Sequence, residues 1–131
     1  MPLTAEDREE MIELVARYNH AIDSRDGQAW ADTFTEDGRF YVPPNHDVRG
    51  REALIAFIES FGPPGGHHWT TNFFIEGDGD DATMLVESIF IRGSDAGGRG
   101  KYVNTMKRVN GEWKFAERQA EQYTAKKQDV E

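Results

Sequence analysis

Three side chains in this sequence have the types and positions needed to move a proton. Tyr18 and Asp23 lie five residues apart in a segment with helical periodicity, and His68 begins a segment that alternates like a strand. An imidazole can take a proton, a carboxylate can fix its tautomer, and a phenol can donate to a developing oxyanion. The three residues therefore predict general acid–base chemistry if the fold brings them together.

The segment that contains His68 predicts a strand with one polar face. Alternation puts these side chains on that face: His68, Thr70, Asn72 and Phe74. It puts the following on the opposite face: His67, Trp69, Thr71, Phe73 and Ile75. Polar groups facing the interior need partners, and a ligand pocket would supply them. Asn72 is therefore a candidate substrate-binding residue, with a hydrogen bond inside the fold as the alternative.

The elements that must position these groups are helices first and strands afterwards. The predicted elements are a helix over 5–24, a short helix after Asp26, a strand over 39–42, a helix over 51–61, and strands over 67–76, 82–92, 101–109 and 112–121. Thr4 with Asp7 predicts the first helix cap, and Asn110-Gly111 predicts a tight hairpin turn. This order predicts one α+β domain over 1–131, with frayed residues at 1–4 and 124–131.

Composition excludes several functional classes. The chain has 131 residues, with 15 Lys and Arg against 24 Asp and Glu, so its net charge of −9 disfavours nucleic acids and anionic membranes as partners. The absence of cysteine excludes disulfide scaffolds and thiolate chemistry. The acidic start MPLTAEDREE and the lack of a long apolar run lead us to expect no signal peptide, no membrane span and a cytoplasmic location.

The chain resembles the SnoaL-like proteins of the nuclear transport factor 2-like superfamily. The segments that carry the resemblance are RYNHAIDSRDGQAWADTFTEDGRF, RGREALIAFI, HHWTTNFFIEGDGDDAT and VNTMKRVNGEWKF, and their order spans nearly the whole sequence. The resemblance implies a cone-shaped α+β barrel. In such a fold the N-terminal helices pack on a curved antiparallel sheet, and a pocket occupies the mouth.

The resemblance also implies particular site residues. In the bile-acid 7α-dehydratases, scytalone dehydratase and hexachlorocyclohexane dehydrochlorinase, an aspartate ends the first helix and a histidine begins a sheet strand. Those positions fall on Asp23 and His68, and the tyrosine of the bile-acid enzymes falls on Tyr18. Glu87 occupies the position of a second histidine of scytalone dehydratase, and Tyr102 occupies that of its active-site asparagine. Both are candidate substrate-binding residues.

Three further residues are candidates for the pocket. Trp30 and Phe57 are aromatic residues suited either to a pocket wall or to the core. Arg118, within WKFAER, is suited either to anchoring an anionic group of a substrate or to pairing with a carboxylate of the protein. His46, in a proline-rich loop, lies either at the pocket mouth or in solvent.

These observations and the resemblance predict a lyase or isomerase that acts on a small, mostly apolar cyclic or polyketide-like molecule. His68 is the expected general base, Asp23 orients it, and Tyr18 donates to a substrate oxygen. We expect no metal and no cofactor. The alternatives are a non-catalytic small-ligand binding domain and a helper subunit, because the β-subunits of ring-hydroxylating dioxygenases share this fold.

The predicted sheet is apolar on both faces, and helices can cover only one of them. Trp69, Phe73 and Ile75 are expected on the uncovered face, and an apolar patch of this kind rarely stays exposed on a monomer. The sequence therefore predicts a homodimer that pairs through the open face of the sheet.

Overall fold

A curved six-stranded sheet packs its concave face against the N-terminal helices. A computed structural model describes residues 1–123, so the predicted fraying of 124–131 lies outside the described residues. The helices and strands are α1 Ala5–Asp23, α2 Gly27–Ala31, β1 Phe34–Val42, β2 His46–Arg49, α3 Arg51–Glu59, β3 His67–Asp78, β4 Asp81–Arg92, β5 Asp95–Val109 and β6 Glu112–Tyr123. The α+β prediction is confirmed. None of the described helices has the length and apolar character that crossing a membrane requires.

Helix α1 begins at the predicted cap. The Thr4 hydroxyl accepts a hydrogen bond from the Asp7 backbone, and the Asp7 carboxylate accepts one from the Thr4 backbone. Residues 1–4, expected to fray, instead contact the β3–β4 turn: Pro2 pairs with Asp78, and the Gly79 backbone donates to the Met1 carbonyl. Pairing with a sheet end ties this terminus down, because it satisfies backbone groups that would otherwise face water.

The sheet is mixed rather than wholly antiparallel. Its strand order is β2-β1-β6-β5-β4-β3, and within the described residues it stays unclosed. Strands β1 and β6 run parallel, whereas the other neighbours are antiparallel. The parallel pair arises because α3 and four strands (β2 to β5) separate β1 from β6, so the chain returns beside β1 in the same direction. Strand β2 forms where the sequence predicted a loop, and β5 begins at Asp95, within another predicted loop.

A bulge in β3 reverses the predicted alternation. The pairing with β4 shifts between Thr71 and Phe74, and Asn72 adopts a positive φ of 58°. One extra residue moves every later side chain to the other face. Phe73 therefore packs partly buried against the core and Ile75 is buried, whereas Phe74 is exposed. The prediction that Phe73 and Ile75 lie on the outer face is wrong.

The core fills the end of the concave face that lies away from the start of β3. We call this filled end the closed end of the sheet and the other the open end. Its largest fully buried apolar side chains come from the helices and from the concave face of the sheet: Met11, Val15, Tyr18, Trp30, Leu54, Ile58, Met84, Val86, Met106, Trp113 and Phe115. Burial of these apolar surfaces supplies the main driving force for folding. The opposite end of the concave face remains open, and the polar residues of β3 lie there.

Candidate functional site

His68 and Asp23 form a direct hydrogen-bonded pair. The Nδ1 atom of His68 lies 2.6 Å from Oδ1 of Asp23, and the His68 backbone N–H donates to Oδ2 at 2.9 Å. The two side chains are only 18% and 10% exposed, respectively. With an ionised Asp23 as acceptor, Nδ1 carries the proton, and Nε2 of the neutral imidazole keeps a free lone pair. The sequence predicted this contact.

The local chain path explains why the pair meets. Helix α1 ends at Asp23, and Arg25 adopts a positive φ of 63°, which turns the chain away directly after the carboxylate. His68 is the second residue of β3, and its ring lies 4.9 Å from the ring of Phe90, its cross-strand partner. His67 points the other way and is 77% exposed, with Nδ1 at 4.0 Å from Asp23.

His68 lines a cavity of about 390 Å³ at the open end of the sheet. The apolar part of its wall includes Ile22, Phe40, Val42, Phe57, Phe61, Phe90, Tyr102 and Ala120. A volume of this size accommodates a small organic molecule, and a mainly apolar wall with a few polar groups is typical of such sites. Phe57 and Tyr102, predicted as pocket residues, therefore line the cavity together with His68.

Several polar residues of the cavity were missed or left open by the sequence reasoning. Arg25 brings a cation to the cavity wall. Arg99, Lys101 and Glu121 also border the cavity, but they alternate along their strands with inward-facing Tyr102 and Ala120, so their side chains lie on the outer face of the sheet. Lys101 Nζ lies 3.3 Å from Oε2 of Glu121. The remaining polar lining residues include His46, Ser88 and Gln122. Their positions depend on the β2 hairpin and on strand register, which local sequence patterns do not specify.

Tyr18 and Trp30 do not belong to the cavity wall. Both are fully buried, and Tyr18 packs against Trp30 and Tyr102 with ring centroids at 5.5 and 6.3 Å. Burial raises the pKa of the Tyr18 phenol well above its ordinary value, so the hydroxyl stays protonated. Among residues 1–123 this hydroxyl has no hydrogen-bond partner. Because Tyr102 separates Tyr18 from the cavity, the structure does not place Tyr18 beside His68, and Trp30 is a core residue.

Asn72 and Glu87 lie on the outer face of the sheet. The Asn72 side-chain amide donates to Oε1 of Glu87 at 2.9 Å, in an exposed position. The β3 bulge explains the error for Asn72, since it removes this residue from the row of His68 and Thr70. Neither residue lines the cavity, so the prediction that they bind substrate is corrected.

Arg118 is likewise absent from the cavity wall, although it lies directly behind it. Its side chain is fully buried, and its Cζ atom lies 3.8 Å from the ring centroid of Tyr102. Within the described residues, no group of three or more His, Cys, Asp or Glu side chains converges in a way that could hold a metal ion.

Comparison with known proteins agrees with this architecture. The sequence model of the SnoaL-like domain matches residues 3–119. A Nostoc punctiforme protein of unknown function with a cystatin-like fold is 28% identical, with 95% of this chain and 97% of that chain covered and a TM-score of 0.85. A function-unknown protein from Mycobacterium tuberculosis is 29% identical, with 95% and 76% covered and a TM-score of 0.83.

One similar structure is described as a candidate enzyme. A Novosphingobium aromaticivorans protein described as a candidate scytalone dehydratase is 23% identical, with 91% of this chain and 85% of that chain covered and a TM-score of 0.80. At this identity the likeness shows the fold alone. No curated protein matches this sequence.

Proposed function

This chain belongs to the SnoaL-like domain family, and from that premise we propose that it is a lyase or isomerase acting on a small, mostly apolar cyclic molecule. Since this fold hosts many activities, the proposal must depend on the site. The observation that carries it is that His68, which lines a mainly apolar cavity, is held by a hydrogen bond to Asp23 behind it. The proposed reaction uses these side chains without a metal or nucleotide.

In the proposed reaction, His68 Nε2 removes a proton from a carbon next to a substrate carbonyl. The C–H electrons form a carbon–carbon double bond as the carbonyl oxygen gains negative charge. Asp23 holds the imidazole through Nδ1 and stabilises the imidazolium that results. In an elimination, the carbonyl re-forms, the electron pair moves to make a double bond between the α- and β-carbons, and the β C–O bond breaks as the imidazolium protonates the departing hydroxyl, which leaves as water. In an isomerisation, the imidazolium protonates another carbon of the enolate and the carbonyl re-forms.

Two hydroxyl groups of the cavity wall can stabilise the developing oxyanion. Ser88 and Tyr102 line the cavity with His68. A hydroxyl donor aimed at an oxyanion in a water-poor site lowers the barrier substantially. We therefore assign the donor role to these residues rather than to Tyr18, whose hydroxyl is enclosed behind Tyr102.

Proton exchange tests the function before the natural substrate is known. The protein is incubated in D₂O with cyclic ketones and cyclic β-hydroxy ketones, and NMR follows loss of the α-proton and formation of the conjugated alkene. We expect His68→Gln to slow exchange by at least about 100-fold. His20→Gln is the matched control, because it changes an exposed histidine of α1 outside the cavity and should keep the wild-type rate.

The alternative is a binding domain without catalysis. It predicts ligands that bind to the wild type and to His68→Gln with equal affinity and undergo no exchange. That outcome would contradict the proposed reaction and leave the cavity as a small-molecule binding site.

We also propose that a second copy of this chain covers the outer face of the sheet. Large apolar side chains are exposed on this face: Trp69, Phe74, Leu85, Val103 and Tyr123. An isologous dimer would remove this patch from water. Sedimentation equilibrium should give twice the 14.9 kDa chain mass for the wild type and for Ile12→Glu, which changes an exposed residue of α1. Trp69→Glu should sediment as a monomer, and a monomeric wild type would refute the dimer.

A further inference from the structure

Arg118 is a buried guanidinium without an acceptor. Its side chain has no exposed surface, and its Nε, Nη1 and Nη2 atoms all lack a hydrogen-bond partner among residues 1–123. Its Cζ atom lies 3.8 Å from the ring centroid of Tyr102, 4.2 Å from that of Tyr18 and 4.7 Å from that of Phe115. No carboxylate of the described residues forms an ion pair with it, so that interpretation of Arg118 is wrong.

The aromatic rings compensate this charge only in part. Ring faces attract a guanidinium electrostatically, and the neutral hydroxyls of Tyr18 and Tyr102 lie near it, but none of these groups supplies the negative charge of a carboxylate. Burial of an unpaired charge is among the most unfavourable arrangements in a protein, and an apolar residue at the same place would cost less. This arrangement therefore points to an acceptor that comes from outside the described chain.

The position of Arg118 connects it to the cavity. It shares the inner face of β6 with Ala120 and Gln122, which line the cavity. Two residues along a strand span about 6.6 Å, so Arg118 lies about that distance from Ala120, deeper in the fold than the part of the wall that Ala120 and Tyr102 form, which we call the cavity floor. Tyr102, the cross-strand partner of Ala120, lies over the guanidinium and lines the cavity with its other side.

Arg25 adds a second cation at the cavity. The whole chain carries a net charge of −9, yet Arg25 lines the cavity, whereas the Lys101 and Glu121 side chains pair with each other on the outer face of the sheet. A cation at the wall of a cleft attracts ligands of the opposite charge.

We propose that Arg118 binds a carboxylate carried by the substrate, so that this site acts on small acids with an apolar ring. The inference rests on the proposed function and adds the substrate class. A shift of the Tyr102 ring would open the floor, the two carboxylate oxygens would accept parallel N–H bonds from the guanidinium, and the apolar ring would remain in the cavity beside His68. Arg118 is thus a substrate-binding residue.

Benzoate and benzamide provide a matched pair of probes, because they have nearly the same shape and differ in charge. Titrations by calorimetry should show benzoate binding to the wild type at least tenfold more tightly than benzamide. Arg118→Met should remove that preference and leave benzamide affinity unchanged. Arg17→Met, which removes an exposed cation of α1 outside the cavity, should change benzoate affinity less than threefold. Equal benzoate affinity in the wild type and in Arg118→Met would overturn the proposal.

Thermal melting separates a binding role from a structural one. Because methionine replaces an unpaired buried charge, Arg118→Met should melt at or above the wild-type temperature. A marked fall would show that the arginine serves the fold and would count against the proposal. The side-chain Nε–H resonance of Arg118 needs no variant: benzoate should shift it in the wild type, and an unshifted resonance at saturation would overturn the assignment.

Two further measurements separate carboxylate binding from inorganic-anion binding, and ligand binding from catalysis. Chloride and acetate should bind at least tenfold more weakly than benzoate, and equal affinity for chloride would identify an inorganic-anion site instead. His68→Gln should keep the benzoate preference while it loses α-proton exchange. If the exchange fails in every protein but the preference depends on Arg118, the proposed reaction is wrong and the acid-binding site stands.

Discussion

Arg108 and Arg118 lie ten residues apart on neighbouring strands, yet their surroundings differ completely. Arg108 donates from Nη1 to Asp7 at 2.8 Å and from Nε to Asp80 at 2.9 Å, and its third nitrogen reaches the Gly79 carbonyl. Arg118 contacts aromatic rings, and among the described residues none of its nitrogens finds an acceptor. Each nitrogen of Arg108 thus donates to an acceptor, whereas no nitrogen of Arg118 does so among the described residues.

Charged side chains at the two ends of the sheet therefore differ in their hydrogen-bond partners. At the closed end, Asp7 also accepts from the Thr4 backbone and from the Trp113 indole, so that α1, the β3–β4 turn and β6 are tied together. At the open end, His68 Nε2 has no hydrogen-bond partner among the described residues, and the Arg118 guanidinium lies buried behind the cavity without one. Saturated polar groups stabilise a fold, whereas unsatisfied buried groups mark a site.

The largest expected effect tests the closed end. Arg108→Met should lower the melting temperature by about 5–10 °C, because it leaves Asp7 and Asp80 without their shared cation. Arg118→Met, which makes the same change of side chain at the open end, is the matched control and should show no fall. Differential scanning calorimetry on both variants measures the contrast. Equal losses would show that the two arginines play the same structural role.

A smaller effect at the same end depends on pH. The hydrogen bond from the Thr4 backbone, with that from Trp113, lowers the pKa of Asp7 from 3.8 to about 2. A carboxyl whose pKa is lowered by folding stabilises the fold fully above its unfolded pKa and loses that contribution as the pH falls through its folded pKa. Asp7→Asn should therefore lower the melting temperature by about 3–5 °C at pH 6, with the difference shrinking as the pH falls from about 4 towards 2.

Scanning calorimetry from pH 2 to pH 7 checks this prediction. Asp37→Asn is a suitable control, since that carboxylate accepts only from the Thr35 hydroxyl in an exposed position among the described residues. A wild-type–variant difference independent of pH would contradict the assignment of the acid-sensitive contribution to Asp7.

Local sequence patterns predicted the features that depend on neighbouring residues. The Thr4–Asp7 box and the Asn110-Gly111 turn are both present, and Asn110 and Gly111 have positive φ values of 53° and 80°. His68 was placed by periodicity, and its pairing with Asp23 came from the family resemblance together with the end of α1. Each of these features rests on side chains close in sequence or on a conserved fold geometry.

The features that the sequence did not reveal depend on long-range packing. The bulge at Asn72 exchanges Phe73 and Phe74 between the two faces. Asparagine tolerates the positive φ that this bulge has, but strand alternation alone does not predict that it is used here. The isolation of Arg118 depends on which rings the folded sheet stacks around it, and on which carboxylates it leaves elsewhere. Periodicity assigns a residue to a face, but the partners across that face are decided by strand register.

The smallest expected effect on stability concerns Asp23, and it sharpens the contrast with Asp7. Asp23 accepts two hydrogen bonds, both from His68, whereas Asp7 accepts from Thr4, Trp113 and a cationic Arg108. Asp23→Asn should therefore lower the melting temperature by only about 1–3 °C at pH 8, less than Asp7→Asn does.

The same substitution, Asp23→Asn, should slow α-proton exchange by about 100-fold, because an amide does not stabilise an imidazolium as a carboxylate does. Nitrogen-15 NMR of the His68 ring provides the direct measurement: neutral wild-type His68 should carry its proton on Nδ1, and Asp23→Asn should release that preference, since the amide can either accept or donate at this position. An unchanged tautomer in the variant would show that Asp23 does not orient the base, and the two aspartates would then differ in their number of contacts alone.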